Sequence, residues 1–226
     1  MKSKIKIKLP PILQTNRPKE MKAWQDCQWQ RVPCGLDSCP ICGRIKRARQ
    51  KHLDKGEDPD TMAAVFQDVG NVFKETLELL KKDAARFGID LDKIKDMEEN
   101  KSPEPSDFPL YNRAKIWRDG IYKIAEASDE VSSAWLYSQA GEDLLWYANT
   151  LLAKIYRQLS NVWELKNDKE KIEYIDLEYN YTGYVLNQVF AILDSALFKL
   201  SQDGGPQAGK FTLARLSLAG LKEKLK

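Results

Sequence analysis

The 226-residue sequence predicts an all-α fold: a helical bundle of about four long helices, preceded by a small module that contains all four cysteines. Two observations support this prediction. Apolar residues recur at three- and four-residue steps through four long segments, which is the period of a helix with one buried face. No alternating, strand-like pattern follows residue 10. Several amphipathic helices joined by loops favour a bundle.

The elements before residue 56 are short. Residues 4–9 alternate lysine with apolar residues in a strand-like pattern, and Pro10-Pro11 ends it. Residues 12–24 carry no periodic pattern, and the four cysteines lie within residues 27–43. The polar, basic segment from Arg44 to Lys55 is predicted to begin as a helix. We therefore predict that residues 1–55 form a basic N-terminal arm and a cysteine module.

The long helices begin after this module. Asp58-Pro59 favours a helix start, because aspartate caps a helix and proline suits its first turn, and Gly88 is expected to end the helix. The apolar stripe of this helix includes Phe66, Phe73 and Leu80. We expect that stripe to lie in the core of the bundle.

Further helices are predicted over 110–127, 142–166 and 173–200. The acidic residues at about 90–109, with Pro103 and Pro105, predict a linker inside the bundle domain, which we place at 56–203. The last domain, 204–226, is predicted to be a flexible linker followed by a short basic C-terminal helix. That helix could dock on the bundle, contact a partner or lie on an anionic surface.

The net charge of +3 is unevenly distributed along the chain. Residues 1–55 hold 14 Lys and Arg against 4 Asp and Glu, a net charge of +10. Residues 56–226 hold 22 against 29, a net charge of −7. This asymmetry predicts two modules, the first with a polyanion as its partner. The alternative is that the basic arm packs on the acidic remainder of the chain.

The chain's four cysteines are separated by six, four and two residues: Cys27, Cys34, Cys39 and Cys42. Structural zinc takes four such ligands in a tetrahedron, and Cys39-Pro40-Ile41-Cys42-Gly43 has the form of the tight turn that supplies one pair. Gly43 could take a positive φ in that turn. We predict a structural zinc site, because four protein ligands leave no position for a reactive water. An iron–sulfur cluster and unmetallated cysteines are the alternatives.

Five cationic side chains follow the cysteines within eight positions: Arg44, Lys46, Arg47, Arg49 and Lys51. We predict that they bind nucleic-acid phosphates, with RNA or a ribonucleoprotein as the favoured partner. Trp24 and Trp29 flank Cys27 and could stack on unpaired bases, or could instead pack around the metal site.

Two other classes of function stay open. The chain could be a protein–protein adaptor whose zinc site only orders the N-terminus. It could also be a helical-bundle hydrolase that acts on nucleotides or RNA. Salt-dependent binding of a polyanion separates nucleic-acid binding from the adaptor function.

Two spacings support the hydrolase alternative. Arg47 and His52 resemble the arginine, four residues, histidine motif of HEPN-type ribonucleases, although in that family the motif lies on a late helix of the bundle. Acids three residues apart resemble the paired acids with which all-α nucleotide pyrophosphatases hold magnesium: Glu75 with Glu78, and Glu126 with Asp129. Glu75 and Glu78 fall off the apolar stripe, however, and are predicted to be solvated.

The only histidine, His52, lies in a basic stretch that is expected to be exposed, and the phosphate-binding glycine motifs are absent. We therefore predict a binding protein rather than an enzyme, with no catalytic residue, no cofactor other than zinc and no small-molecule substrate.

The compartment follows from the absence of a long apolar segment. No uninterrupted apolar run is longer than five residues, as at 144–148, which is far shorter than the roughly 20 residues that span a bilayer. Lysines at positions 4, 6 and 8 interrupt what would be the apolar segment of a signal peptide. We expect a cytoplasmic protein, in which reduced thiols favour metal binding over disulfides.

Overall fold

The computed structural model describes residues 11–90, 103–128, 133–167, 172–203 and 205–225. These residues form six α-helices: α1 (Pro40–Asp54), α2 (Met62–Phe87), α3 (Pro109–Glu126), α4 (Gln139–Asn167), α5 (Ile172–Gln202) and α6 (Ala208–Glu223). Short 3₁₀ helices cover Ala23–Gln28, Pro105–Asp107 and Ala134–Tyr137. No strand occurs in the described ranges, so the predicted all-α class is confirmed. The predicted count of about four long helices is not quite matched, and the strand-like residues 4–9 lie outside the described residues.

Backbone contacts divide the chain into two units. The first, which we call the helical body, contains residues 11–22 and the described residues from 103 onward. The second, which we call the cysteine unit, contains residues 23–90. These boundaries differ from the domains predicted at 1–55, 56–203 and 204–226, which stay a prediction about folding units.

The helical body is built on the long pair α4 and α5. Helix α3 packs on α4, and α6 packs on both α5 and α3. The core between them contains fully buried side chains from α4 and α5, including Leu144, Ile155, Val185 and Leu193. Burial of such side chains is the main favourable contribution to folding, at about 1.5–3 kcal/mol each.

Polar contacts fix α6 on α3 and α5. The indole Nε1 of Trp117 in α3 donates to the carbonyl oxygen of Ala214 in α6 over 2.9 Å. The guanidinium of Arg215 binds Asp194 of α5 through two hydrogen bonds of 2.6 and 3.0 Å. Phe211, Leu218 and other α6 side chains are buried. The C-terminal helix thus docks on α3 and α5.

Residues 11–22 also belong to the helical body, although they have no regular secondary structure. The side-chain amide of Gln158 in α4 donates to the carbonyl oxygen of Ile12 over 3.0 Å. Gly183 of α5 allows this approach, because a Cβ atom there would come within 2.4 Å of the same oxygen. The arm that the sequence groups with the cysteines therefore packs, over these residues, on the bundle.

The cysteine unit consists of the cysteine segment, α1 and α2. Helix α2 begins after Thr61, whose hydroxyl accepts a hydrogen bond from the Ala64 N–H, whereas the sequence placed the start at Asp58-Pro59. Gly88 ends α2 in the left-handed conformation with φ of 67°, as predicted. Arg49 of α1 forms two hydrogen bonds of 2.6 and 2.9 Å with Asp60, just before α2.

The apolar stripe of α2 is exposed, which corrects the expectation that it forms core. Phe66, Phe73 and Leu80 have 67, 66 and 52% of their surface exposed. The buried residues of α2 are instead the small side chains of Ala64 and Ala84. Helical periodicity identifies an apolar face correctly but does not specify what covers it, because that depends on tertiary contacts.

Candidate metal centre

Three consecutive pieces of backbone position the cysteines. Cys27 lies in the 3₁₀ helix Ala23–Gln28, and Cys34 lies in the following loop next to Gly35, which has φ of 68°. Cys39 is the N-cap residue of α1, and Cys42 lies in the first turn of that helix, after Pro40. Proline suits this position, since its fixed φ is helical and its missing N–H would have no partner there. The predicted turn is therefore the first turn of a helix.

The four sulfur atoms converge on one point. All four Sγ atoms lie within 4.8 Å of one another. Three of the Sγ–Sγ distances are 3.5 Å for Cys34–Cys42, 3.9 Å for Cys39–Cys27 and 3.9 Å for Cys42–Cys27. A zinc ion with sulfur ligands at about 2.3 Å in a tetrahedron would hold its sulfurs about 3.8 Å apart. The cysteines therefore lie close together and could hold one metal ion.

The same distances exclude disulfides in this structure. A disulfide joins its sulfurs at about 2.0 Å, and the structure shows four free cysteines. Cys39 and Cys42 are buried, whereas Cys34 is exposed at the edge of the cluster. A metal ion here would have four protein ligands, which is the closed coordination of structural sites.

The thiols differ in their affinity for protons. The backbone N–H of Cys42, together with that of Ile41, lowers the pKa of Cys39 to about 7, because these groups at the start of α1 favour the thiolate. Burial raises the pKa of Cys42. A backbone hydrogen bond from Cys34 opposes the rise at Cys27, but burial and the neighbouring thiols still raise the pKa of Cys27 to about 12. Metal ligation would have to displace these protons.

Gly43 has a different role from the one that the sequence predicts. It lies inside α1 and is buried, and it is not among the glycines with positive φ. A Cβ atom at this position would lie 2.2 Å from the carbonyl oxygen of Asp37. Gly43 therefore lets the loop that carries Cys34 approach the start of α1.

The five predicted phosphate-binding residues all lie on α1, and three of them have acidic partners. Arg44 bonds to Glu75 of α2, Lys46 lies 2.7 Å from Asp37, and Arg49 binds Asp60. These ion pairs are largely exposed, so that each contributes little to stability. The sequence missed these partners, because nothing in local spacing connects Arg44 to Glu75, 31 residues away.

Arg47 and Lys51 have no ion pair among the residues that the structure describes. Both side chains are exposed. Their spacing places them on one face of α1 with Arg44, since residues three, four and seven apart in a helix project in similar directions. This face lines a groove of about 860 Å³ between α1 and α2, together with Glu75 and Glu78. Among the described residues, the five predicted phosphate-binding cations thus divide into three with an acidic partner and two without one.

His52 is buried rather than exposed, with 3% of its surface accessible. Its Nδ1 lies 2.7 Å from Glu57 Oε2, and its Nε2 lies 3.2 Å from Asp68 Oδ1 of α2. The hydrogen bond with Glu57, with a further contribution from Asp68, raises the pKa of His52 despite its burial. Both ring nitrogens are thus engaged with carboxylates, which makes His52 a contact between α1 and α2.

The remaining candidates from the sequence are two tryptophans and the paired acids, and they differ in burial. Trp29 is buried and Trp24 is partly buried. Glu75 and Glu78 are exposed, and Asp129 lies outside the described residues. Across the described ranges, the four cysteines are the one group of His, Cys, Asp or Glu side chains close enough to hold a metal.

A helix that spans a bilayer must be both long and apolar. Within the described parts of the chain, none combines sufficient length and apolarity to span a membrane. Comparisons with protein-family models, with curated proteins and with solved structures found no match for this chain.

Proposed function

We propose that this chain is a zinc-binding protein-interaction protein. In this proposal one zinc ion fixes the cysteine segment at the start of α1, and α2 presents its apolar stripe to a helix of a partner protein. The observation that supports the interaction is the exposure of that stripe. Reduced cysteines as ligands fit a reducing compartment such as the cytoplasm.

Zinc is the metal that best fits the four sulfurs. A cluster of several irons distributes its thiolates over different metal atoms, whereas the sulfurs here are spaced for a single tetrahedral ion. Zinc has no preferred geometry of its own and is the usual ion in structural sites with four cysteines. The ion would hold together the cysteine segment, whose apolar core is too small for the segment to fold alone.

Metal analysis of the purified protein tests this assignment. We expect about one zinc per chain, and Cys39→Ser should lose it, because a serine hydroxyl is a poor zinc ligand at neutral pH. Ser38→Ala, one residue away and exposed, is the matched control and should retain the metal. Iron accompanied by sulfide, or full zinc content in Cys39→Ser, would contradict the proposal.

The apolar stripe on α2 is long and regularly spaced. Phe66, Phe73, Leu80 and Phe87 recur every seven residues, and all four are more than half exposed. Met62, Val69 and Leu77 extend the same face and are also exposed. Contiguous exposed apolar patches of this kind mark interaction surfaces on soluble proteins. A seven-residue repeat is the pattern with which one helix packs against another, so the expected partner surface is a helix.

Site-specific photo-crosslinking in the native host tests the interaction. A photoreactive residue at Phe73 should give an adduct that maps to a helix of one defined partner. The same residue at Lys82, which projects from the other side of α2, should not. The proposal fails if neither position gives an adduct, or if Phe73 links only to residues 103–225 of its own chain.

Nucleic-acid binding is the second candidate, and one observation favours it. Arg44, Arg47 and Lys51 share a face of α1, and the last two carry no ion pair among the described residues. Exposed pairs such as Arg44–Glu75 are weak enough for a phosphate to replace the carboxylate. RNA would be the favoured ligand, with phosphate contacts supplying the affinity.

A salt titration tests this candidate. Binding to single-stranded RNA should weaken by orders of magnitude between about 50 and 200 mM salt, because each neutralised phosphate releases counterions. Arg47→Gln combined with Lys51→Gln should weaken binding and flatten the salt dependence, whereas Lys46→Gln, whose partner is Asp37, should do so less. Absence of binding at low salt would remove this candidate and leave the protein-interaction proposal unaffected.

A further inference from the structure

An apolar groove runs between α3 and α6 in the helical body. Its volume is about 540 Å³. Trp117 and Ile121 of α3 and Leu221 of α6 line it and are buried, so they form its floor. Ile116 and Leu213 also line it and have 72 and 66% of their surface exposed, so they form its rim. The groove is independent of the cysteines and of α2.

The depth of the groove comes from residues with small or absent side chains. Gly120 of α3 and Gly220 of α6 both line it. A Cβ atom built on either glycine would meet no atom within 4 Å apart from the adjoining backbone of its own helix. Neither glycine is therefore required by close packing of α3 against α6, and both leave space that an occupant could fill.

Every charged residue that lines the groove is a cation: Arg113, Lys210 and Lys224. The side chains of these three residues make no ion pair and no hydrogen bond with the residues that the structure describes. Lys210 and Lys224 lie 14 residues apart near the two ends of α6, which corresponds to about 21 Å along the helix. Positive charge therefore flanks the apolar surface along its length, and this favours an occupant that carries negative charge.

The shape of the groove favours a helix over a small molecule. Small-molecule sites enclose most of the ligand surface, whereas this groove is open to solvent along both helices. The lining residues of α3, from Arg113 to Ile124, and of α6, from Lys210 to Lys224, each follow one face over about three to four turns. An amphipathic helix of about that length, with acids beside its apolar face, would match the groove in both polarity and charge.

We propose that the groove between α3 and α6 binds an acidic amphipathic helix of a partner protein. The apolar face of that helix packs on Trp117, Ile121 and Leu221, and its acids pair with the three cations at the rim. The hydrogen bond from Trp117 to the Ala214 carbonyl holds the two walls together, so that the groove exists before the partner binds.

Designed peptides test the proposal on the full-length protein. The probe is an 18-residue amphipathic helix with leucines on one face and glutamates beside them. The matched probe carries lysines in place of the glutamates. Calorimetry should show the glutamate peptide binding at least tenfold more tightly than the lysine peptide. Gly220→Leu fills the groove and should weaken binding of the glutamate peptide at least tenfold, and Arg113→Glu should weaken it several-fold.

Gly209→Leu is the matched control. It also lies in α6 and has no atom within 4 Å of a built Cβ, but it does not line the groove. It should leave binding unchanged, and equal thermal melting of both leucine variants shows that the fold is intact. The proposal is overturned if the glutamate peptide does not bind, or if Gly220→Leu binds it like the wild type. Binding to phosphatidylglycerol vesicles without binding to the peptide would also overturn it and indicate a membrane surface instead.

Discussion

Gly43 illustrates how a single residue can be singled out correctly for a reason that the structure replaces. The sequence favours a turn after Cys42 and therefore a positive φ at Gly43. The structure places this glycine inside α1, where the missing side chain makes room for the Asp37 carbonyl. The positive φ in this segment belongs to Gly35 instead. Pro40 distinguishes a helix start from an isolated tight turn in the sequence, because proline is common at the first helical position.

The convergence of the four cysteines could be predicted from the sequence, whereas the partners of the basic residues could not. Cysteine spacing is set by the short backbone pieces between the ligands, so local information is sufficient. The partners of Arg44 and His52 depend on how α1 meets α2. Glu75 and Asp68 are distant in sequence and resemble any other exposed acid before folding.

His52 makes stability depend on pH at one identifiable group. When protonated, the ring can donate to Glu57 and Asp68 at once, and the raised pKa shows that the folded state favours this form. The contribution of His52 to stability is therefore fully present below the pKa of the unfolded state, about 6.5. It is lost as the pH rises through the higher folded pKa.

Nuclear magnetic resonance can measure this titration directly, because the chain has one histidine and its ring gives one set of signals. We expect a midpoint above 6.5 for His52. Glu57→Gln and Asp68→Asn should each lower it, whereas Asp54→Asn, an acid without a contact to the ring in this structure, should change it less. A midpoint at or below 6.5 in the wild type would show that the two carboxylates do not hold the proton.

At the scale of helices, the predicted ranges are close to the observed bounds wherever the sequence carries a local signal for a helix start or end. The helix predicted at 110–127 is Pro109–Glu126, and the one predicted at 173–200 is Ile172–Gln202. Gly88 ends α2 as predicted, since a glycine after an apolar stripe readily takes the left-handed conformation. The packing of α2 was not predictable from its own residues, because its stripe is equally suited to the bundle or to another chain.

Two leucines of α6 that look equivalent in the sequence differ in burial. Leu216 and Leu218 lie two residues apart in α6, with 66 and 2% of their surface exposed. Leu218→Ala should lower the free energy of unfolding by about 2–5 kcal/mol, because it empties a core position. Leu216→Ala should change it by no more than about 0.5 kcal/mol. Urea unfolding followed by circular dichroism makes the comparison within one helix.

The same reasoning reverses the expectation for α2. Phe66, Phe73 and Leu80 would each destabilise the protein on replacement by alanine if they formed core. Because they are exposed, the isolated chain should tolerate each replacement with little loss of stability. A loss of several kcal/mol at these positions would mean that the stripe is covered when the chain is alone, which would also contradict its proposed role as a partner surface.

At the scale of the whole molecule, the two units differ in what stabilises them. The helical body has a core of large side chains that are fully buried, such as Leu151 of α4 and Leu193 of α5. In the cysteine unit, the buried residues of α1 are Cys42, Gly43 and His52, and those of α2 are two alanines. A unit with so few large buried apolar side chains depends on other contributions, and zinc ligation can supply roughly 10–16 kcal/mol.

If the four cysteines bind zinc as proposed, removal of the ion should affect the two units differently. With a strong zinc chelator, amide hydrogen exchange in residues 23–54 should become fast, because the loop around Cys34 and the first turn of α1 lose the ion that joins them. Exchange in α4 and α5 should stay slow, since their protection comes from their own core. Added zinc should restore protection, and Cys39→Ser should behave like the chelated protein without the chelator. If α4 and α5 lost protection together with residues 23–54, the chain would fold as one cooperative unit, and the metal would stabilise the helical body as well as the cysteine segment.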